Sequence, residues 1–422
     1  MRADRVLLTM ADLHGTLAAL RCYGRAGVAV TVAEWRVTAA AQWSRFTSRR
    51  VRCPDPVDSV RFIDWLLDFG SREPGYVLVP PNDEIAWLYA LNREVLSRDF
   101  KLYMPTAAAL NRLLDKVQLH TACEAVGLGT PDHWLPTSLS ELEHVSNVAS
   151  YPVLIKPRTQ VFSICHAKGA VVLNREELVS KYTHFQNYNR YNSQLTAQTP
   201  DSAWPMLQRF YPTAANSIYG LSGFAADTPA AFGARGSRKV LQRPRRLGIG
   251  LCFEEAPVIP ELAEGVRRLC EQVGFKGIFE AEFIEADGRY LMIDFNPRCY
   301  NQMAFDIARG LPLPLLYLEA AMGNHERLLA MANQASRWSG EQQVYTHRFL
   351  FELLVRCQTL SRRLSSSEAK YWQSWRAEHR GHTVQAVSDS SDWVPELVDT
   401  AFLLSSYLRD PKYFLRTVFL GR

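Results

Sequence analysis

Residues 274–298 constrain the fold of this chain most strongly, because they combine strand patterning with acidic side chains. Two segments, 278–284 and 290–295, alternate as β-strands do, and Ala286-Asp287-Gly288 between them is typical of a hairpin turn. Side chains alternate between the two faces of a strand. One face of the predicted hairpin can therefore carry four oxygen-bearing side chains: Glu280, Glu282, Asp294 and Asn296.

The second strand of this hairpin ends in Asp294-Phe295-Asn296-Pro297-Arg298, which adds a neutral oxygen ligand and a cation at fixed offsets. Carboxylates are costly on such apolar strands unless they are paired or bind a metal. A solvated hairpin face is the alternative, and it is the usual one for an isolated Glu-x-Glu. Hard oxygen donors beside an arginine suit magnesium bound to phosphates, so the whole pattern favours a metal and phosphate site.

The length and charge of the chain limit its fold and its partners. At 422 residues it exceeds a single ordinary core, so we expect two or three domains. The 48 basic and 43 acidic residues leave a net charge of +5, too small to indicate nucleic acid by itself. No apolar stretch reaches about 18 residues, and the eight cysteines form no C-x-x-C pair. We therefore expect a cytoplasmic protein with reduced thiols, no membrane segment and no nucleic-acid partner.

The first hundred residues alternate between strand and helix patterns. The predicted strands are 5–9, 28–32 and 76–80, and the predicted helices are 15–26, 59–69 and 84–96. Such alternation indicates a parallel sheet covered by helices, ending near Met104-Pro105. The loop at 10–15 lacks G-x-G-x-x-G, so a dinucleotide site has little support despite this topology.

Two features further along the chain indicate phosphate binding. Lys156 ends a predicted strand at 151–158, where a single lysine is often merely solvated. Residues 235–246 contain no acid and six basic residues: Arg235, Arg238, Lys239, Arg243, Arg245 and Arg246. A solvated face and a nucleic-acid surface are the alternatives for this segment, but it has no interleaved aromatic residues. A cationic wall for phosphates fits it better.

These motifs follow one another in a recognisable order: Asp115-Lys116, Ile155-Lys156-Pro157, Gln208-Arg209-Phe210, Glu282 and Asp294-Phe295-Asn296-Pro297-Arg298. The order resembles the ATP-grasp superfamily over about residues 5–320, closest to its carboxylate–amine ligase and carbamoyl-phosphate synthase branch. The resemblance implies an α/β fold with a Rossmann-like domain at 1–108, a two-lobed ATP-grasp domain at 109–325 and a mostly helical region at 326–422. The small lobe would span about 117–208 and the large lobe about 209–325.

The same resemblance implies how ATP would be held. Lys116 and Lys156 would contact its phosphates as point charges. A hinge would contact adenine through its backbone, and it consists of Gln208, Arg209, Phe210 and Tyr211.

The resemblance also implies which residues would bind the metal ions and the substrate. The implied ligands of two magnesium ions, or of manganese in their place, are Glu282, Asp294 and Asn296. Arg298 would neutralise the transferring phosphoryl group, and Arg238 with Lys239 would meet the substrate carboxylate or its acyl phosphate.

The activity implied by the resemblance is ATP-dependent ligation. A carboxylate would be activated as an acyl phosphate and coupled to an amine, with an amino acid or a related small molecule as substrate and with release of ADP and phosphate. Two alternatives stay open, namely carboxylase or carbamoyl-phosphate chemistry and a catalytically silent nucleotide-binding subunit. A homodimer is compatible with each of these functions.

Overall fold

The computed structural model describes residues 5–161, 163–164, 169–188, 190–191, 197, 200–213, 218–244 and 248–421. Its strands are β1 (Arg5–Leu8), β2 (Ala29–Ala33), β3 (Arg49–Val51), β4 (Tyr76–Leu78), β5 (Phe100–Leu102), β6 (His133–Trp134), β7 (Val153–Lys156), β8 (Ser163–Ile164), β9 (Ala170–Val172), β10 (Arg190–Tyr191), β11 (Met206–Arg209), β12 (Ile218–Ala225), β13 (Gly233–Arg243), β14 (Ile249–Ala256), β15 (Gly277–Ala286), β16 (Arg289–Asn296), β17 (Val344–Thr346) and β18 (Thr383–Gln385).

The helices of these residues are α1 (His14–Arg25), α2 (Ser59–Arg72), α3 (Asp83–Leu91), α4 (Arg93–Leu96), α5 (Ala107–Leu114), α6 (Lys116–Ala125), α7 (Leu139–Val148), α8 (Arg175–Tyr188), α9 (Pro260–Val273), α10 (Met303–Ala308), α11 (Leu313–Met322), α12 (His325–Ser336), α13 (Arg348–Leu360), α14 (Ser366–Glu378), α15 (Val394–Arg409) and α16 (Pro411–Phe414). Short 3₁₀ segments lie at Ala40–Trp43, Pro200–Ala203 and Pro229–Ala231, and a π-helical turn lies at Leu415–Phe419.

The N-terminal strands form a parallel sheet in the order β3-β2-β1-β4-β5. This confirms the parallel sheet predicted from the alternating pattern. Helix α1 buries Leu17, Leu20 and Tyr23, the residues whose spacing indicated it. Helix α3 begins at an Asn82 cap, whose side chain accepts from the amide of Ile85. The cap therefore fixes the start of α3 at Asp83.

A second, antiparallel sheet has the order β6-β11-β7-β9. Strand β11 lies beside β7, with Met206 opposite Lys156 and Gln208 opposite Leu154. The lysine at the strand end is thereby brought next to the segment predicted as the adenine hinge. Strands β8 and β10 pair with each other in a separate two-stranded ribbon.

The largest sheet has the order β16-β15-β12-β13-β14-β17-β18 among the described residues. The predicted hairpin is confirmed as β15 and β16, with Glu280 opposite Asn296 and Glu282 opposite Asp294. Its turn places Asp287 and Gly288 at φ of 53° and 71°, the left-handed pair that a two-residue turn requires. One residue is inserted between the Glu282 and Phe283 pairings, so that Ile293 forms a bulge.

The C-terminal region, predicted to be mostly helical, also contains two short strands. Besides α13 to α16 it supplies β17, which pairs antiparallel with β14, and β18, which pairs with β17. Ser365 and Glu368 form a capping box at the start of α14, and Trp372 and Trp375 pack in the core with Phe351. Domain limits at residues 108 and 325 stay predictions, because the sheet runs past the second of them.

Apolar packing joins the N-terminal sheet to the segment that follows the hairpin. Val6, Leu17 and Tyr23 share one buried cluster with Phe305 and Tyr317. In the described part of the chain, no helix is both long and apolar enough to cross a bilayer. The cysteines described by the structure are free thiols, and Cys165 lies outside the described residues.

Candidate nucleotide and metal site

A cleft of about 570 Å³ lies between the second sheet, the largest sheet and the start of α3. This volume is within the range of about 300–1,000 Å³ that is typical of small-ligand pockets. Ten of the twelve predicted site residues line it: Lys156, Gln208, Arg209, Phe210, Tyr211, Lys239, Glu282, Asp294, Asn296 and Arg298. Residues more than 140 positions apart are thus assembled around one space.

The two carboxylates at the middle of the hairpin are each held by a lysine. The Nζ of Lys116 lies 2.5 Å from Oδ1 of Asp294, and Nζ of Lys239 donates to Oε1 of Glu282. Both lysines are buried. The pKa of Lys239 is raised although burial opposes this, because the charges of Glu282 and Glu280 favour its protonated form. The lysines therefore offset negative charge that the strands bring together.

Glu280 belongs to the same face and is the most deeply buried of its acids, at 5% exposure. Its Oε2 accepts from Nδ2 of Asn296 at 3.1 Å, and its Oε1 accepts from Nε2 of Gln302. Burial, together with the charge of Glu282, raises the pKa of Glu280 to about 7. Added divalent cation charge would favour its ionised form.

Arg298 connects the hairpin to the N-terminal sheet. Its Nε lies 2.9 Å from Oδ1 of Asp83, Nη2 lies 2.7 Å from Oδ1 of Asn296, and Nη1 donates to the carbonyl of Cys299 at 3.0 Å. The pKa of Arg298 is raised despite burial, because Asp83 and Glu280 favour the cation. These bonds orient the guanidinium at the end of β16, on the wall of the cleft.

The segment predicted as the adenine hinge lies at the end of β11. The Nζ of Lys156 is 3.5 Å from Oε1 of Gln208 and 3.4 Å from the carbonyl of Ile293, at the bulge. The amides of Arg209 and Phe210 donate to the carbonyls of Asp132 and Pro152 at 2.8 and 2.9 Å. Two backbone donors of the segment are therefore used within the protein, and its contact with adenine stays a prediction.

Lys116 lies at the first position of α6 and is not among the residues that line the cleft. Asp115 caps this helix by accepting from the amide of Val117, and it pairs with Arg158 at 2.8 Å. The amide of Lys116 donates to the carbonyl of Arg158 at 2.9 Å. The lysine is thus held beside Asp294 by the ion pair, and its contact with phosphate stays a prediction.

The prediction that residues 235–246 form one cationic wall is wrong for the residues that the structure describes. Consecutive side chains of β13 alternate, so Lys239 enters the cleft while Arg238 lies 3.8 Å from Glu285 on the other face. Arg238 therefore does not join Lys239 as a pair in the cleft. Arg235 donates to the carbonyls of Arg309 and Ala335, a packing role. Residues 245 and 246 lie outside the described residues.

Sequence reasoning left three cleft residues out of the predicted site. Glu280 was grouped with the acidic face but omitted from the metal ligands, although it satisfied the same alternation. Asp83 follows Pro80-Pro81-Asn82 at a helix start, and Gln302 lies four residues after Arg298; neither position indicated a contact. Asp83, at the start of α3, reaches the site only because the N-terminal sheet packs against the largest sheet.

No family model matches the chain. Over 185 residues it is 26% identical to a D-alanine–D-alanine ligase of Ectopseudomonas mendocina, which covers 43% of this chain and 55% of that ligase. The match thus spans about half the length of that relative.

Solved structures resemble the chain over a larger share of its length. The biotin carboxylase domain of Hydrogenobacter thermophilus 2-oxoglutarate carboxylase, solved with MgADP, ADP and bicarbonate, gives a TM-score of 0.60 at 16% identity, covering 76% of this chain and 70% of that one. Staphylococcus aureus N5-carboxyaminoimidazole synthetase gives 0.56 at 12% identity, covering 76% and 78%. At these identities the likeness shows the fold.

Proposed function

The chain is by fold a member of the ATP-grasp superfamily, and we propose that it is an ATP-dependent ligase that joins a carboxylate to an amine. The reaction would release ADP and phosphate through an acyl phosphate. The relatives that it resembles include a D-alanine–D-alanine ligase and a carboxyaminoimidazole synthetase. We infer an amino acid or a related small molecule as substrate.

One observation carries the proposal more than any other. Glu282 and Asp294 face each other across the hairpin at the wall of the 570 Å³ cleft, and each is already held by a buried lysine. A merely solvated strand face would need neither lysine nor burial. Paired carboxylates held in a concave, partly apolar space fit a site for metal and phosphate.

The donor set suits magnesium. Carboxylate and amide oxygens are the ligands that this ion prefers, and Glu280, whose pKa is raised by burial and by the charge of Glu282, lies beside them. Glu282, Asp294 and Asn296 would hold the ion, or two ions, with Glu280 beside them. When bound, magnesium would supply charge neutralisation for the β- and γ-phosphates of ATP.

Side chains of the cleft would bind the phosphates and offset the charge that moves during the reaction. Lys156 would bind phosphate oxygens, and Arg298, oriented by Asp83, would offset the charge of the phosphoryl group during transfer. A carboxylate oxygen of the substrate attacks the γ-phosphorus, and the bond to ADP breaks. The amine nitrogen then attacks the acyl carbon, phosphate leaves with the electron pair, and the amine gives up its proton to water. Lys239 lies on the same wall, where it can meet the acyl phosphate.

A coupled ADP-release assay tests the proposal, with MgATP and all pairwise combinations of the twenty amino acids. We expect ADP release that requires magnesium and depends on the amino acids supplied, with the product identified by mass spectrometry. Glu282→Gln should lower turnover about a hundred-fold or more, by analogy with the loss of one electrostatic stabiliser. Glu285→Gln is the matched control, because Glu285 is an exposed acid of the same strand that lies outside the cleft.

The result also separates the alternatives. Calorimetric ATP binding without ADP release from any pair would support a silent nucleotide-binding subunit. Release that depends on bicarbonate instead of an amine would support carboxylase or carbamoyl-phosphate chemistry.

A further inference from the structure

A second cavity of about 300 Å³ lies beside the cleft, where three parts of the chain meet. The start of α1 contributes His14, the largest sheet contributes Arg243 and Leu251, and the C-terminal region contributes His347 and Asp399. The cavity and the cleft share four lining residues: Leu13, Ile249, Gly250 and Asn301. A molecule in the second cavity would therefore lie next to the space proposed for ATP.

The cavity has an anionic pole at Asp399, which is 8% exposed. Its Oδ2 lies 2.9 Å from Nε2 of His347, and its Oδ1 lies 3.6 Å from Nε2 of His14. Burial opposes ionisation, but the hydrogen bonds from the two imidazoles outweigh it and lower the pKa of Asp399. The carboxylate is therefore kept ionised although it is buried.

The tautomer of His347 determines which kind of cation this pole suits. Nδ1 of His347 accepts from the amide of Leu350 at 3.4 Å, capping α13, so the proton of the neutral ring lies on Nε2 and points to Asp399. Burial lowers the pKa of His347, which favours that neutral ring. The three ligand atoms lie within 4.8 Å of one another, but a metal at Nε2 would require the opposite tautomer and the loss of the cap. An ammonium group that donates to the carboxylate requires neither change.

A cationic pole lies in the same cavity. Nη1 of Arg243 is 2.5 Å from the hydroxyl of Tyr407, and the residue lines the cavity. Arginine suits a carboxylate through paired hydrogen bonds. The lining also includes apolar side chains from the C-terminal helices: Leu350, Phe402 and Leu403.

We propose that this second cavity is the subsite for the amine substrate, and that it takes a free α-amino acid with an apolar side chain. The ammonium group binds Asp399, the α-carboxylate binds Arg243, and the side chain packs against the C-terminal helices. Opposite charges on two walls of a 300 Å³ space match a zwitterion better than a simple amine or a simple acid. The proposal rests on the proposed ligase function, and it gives residues 344–403 a part in substrate selection.

Calorimetry on the full chain, without ATP, tests this subsite separately from the reaction. The probes are L-leucine, D-leucine and L-phenylalanine, with L-leucinamide and 4-methylpentanoate as analogues that lack one charge each. We expect saturable binding of at least one amino acid, with each matching analogue bound about ten-fold more weakly or worse, as for loss of a charged hydrogen bond.

Two variants test which residue of the cavity binds each charged group of the amino acid. In Arg243→Gln the amino acid and its amide should bind equally, and in Asp399→Asn the amino acid and its deaminated analogue should bind equally. Because each variant is judged by the ratio of two ligands on one folded protein, a partial loss of stability does not imitate the result. Arg348→Gln, in an exposed ion pair with Glu396 outside the cavity, is the control and should keep the wild-type ratios.

Absence of binding for all three amino acids overturns the proposal, as do unchanged analogue ratios in both variants. Tight stoichiometric Zn²⁺ binding that is lost in Asp399→Asn would assign the cluster to a metal and also overturn it. The proposed ligase function fails by a different measurement, which is the absence of ADP release.

Discussion

Glu280 provides a test of the charge balance in the cleft that does not require a known substrate. Its pKa of about 7 compares with 4.5 for an unperturbed carboxyl group. Between these pH values the folded chain binds more protons than the unfolded chain, so the free energy of unfolding falls as pH rises through this window. The loss is complete above pH 7 and absent below about pH 4. Glu280→Gln removes the titrating group and should remove this part of the pH dependence.

The size of the effect follows from the two pKa values. Their difference, at about 1.4 kcal/mol for each pH unit, corresponds to about 3 kcal/mol. Glutamine can keep both contacts. Its amide oxygen can accept from Asn296, whose own amide oxygen is held by Arg298, and its amide nitrogen can donate to Gln302 once the Gln302 amide rotates to present oxygen. The variant should therefore equal wild type near pH 5 and exceed it by up to this amount at pH 8.

Urea unfolding followed by circular dichroism, at pH 5, 6, 7 and 8, measures the difference. Glu285→Gln, on the same strand outside the cleft, should keep the wild-type slope. Millimolar magnesium with a non-hydrolysable ATP analogue should reduce the wild-type loss at pH 8, because cation charge favours ionised Glu280. A pH dependence that is equal in wild type and Glu280→Gln would refute the reasoning.

Three further substitutions, with Arg238→Ala as a control, test the assignment of the cleft. Lys156→Ala should weaken ATP binding about ten-fold or more, as for loss of a charged phosphate contact, and unchanged calorimetric affinity would remove Lys156 from the site. Asp294→Asn should keep the fold by circular dichroism while turnover falls about a hundred-fold or more; near-normal magnesium-dependent ADP release would contradict the metal assignment. Lys239→Ala should lower turnover at least ten-fold, whereas Arg238→Ala, off the cleft, should change it less than about three-fold; ADP-release rates that respond equally would restore the predicted basic pair.

The parts of the fold that could be predicted are those specified by neighbouring residues. The hairpin at β15 and β16 follows from alternation and from a turn that only a few residue types allow, so its register and its acidic face were accessible from sequence. The helix cap at Ser365 is similarly local. Each of these elements is determined within a window of about twenty residues.

What could not be predicted depends on contacts between distant segments. His14, His347 and Asp399 are separated by hundreds of positions or lie on different elements, so no spacing indicates their cluster. Strands β17 and β18 have three residues each, too short for a period to show. Residues 235–246 were taken as one cationic wall because basic residues were counted along the segment without applying the alternation of a strand, which places Arg238 and Lys239 on opposite faces of β13.

The pairing of β17 with β14 has a consequence for how the chain avoids self-association. Strand β14 spans eight residues, and β17 occupies hydrogen-bonding groups on the side of β14 that faces away from β13. Without residues 344–385 these backbone groups would face solvent beside Leu251 and Phe253, which are now buried. An open edge of that length and character is a template for pairing with another chain. The C-terminal strands thus cover residues 252–254 of this edge and leave the three-residue β18 as the outer strand, which is a shorter template for another chain.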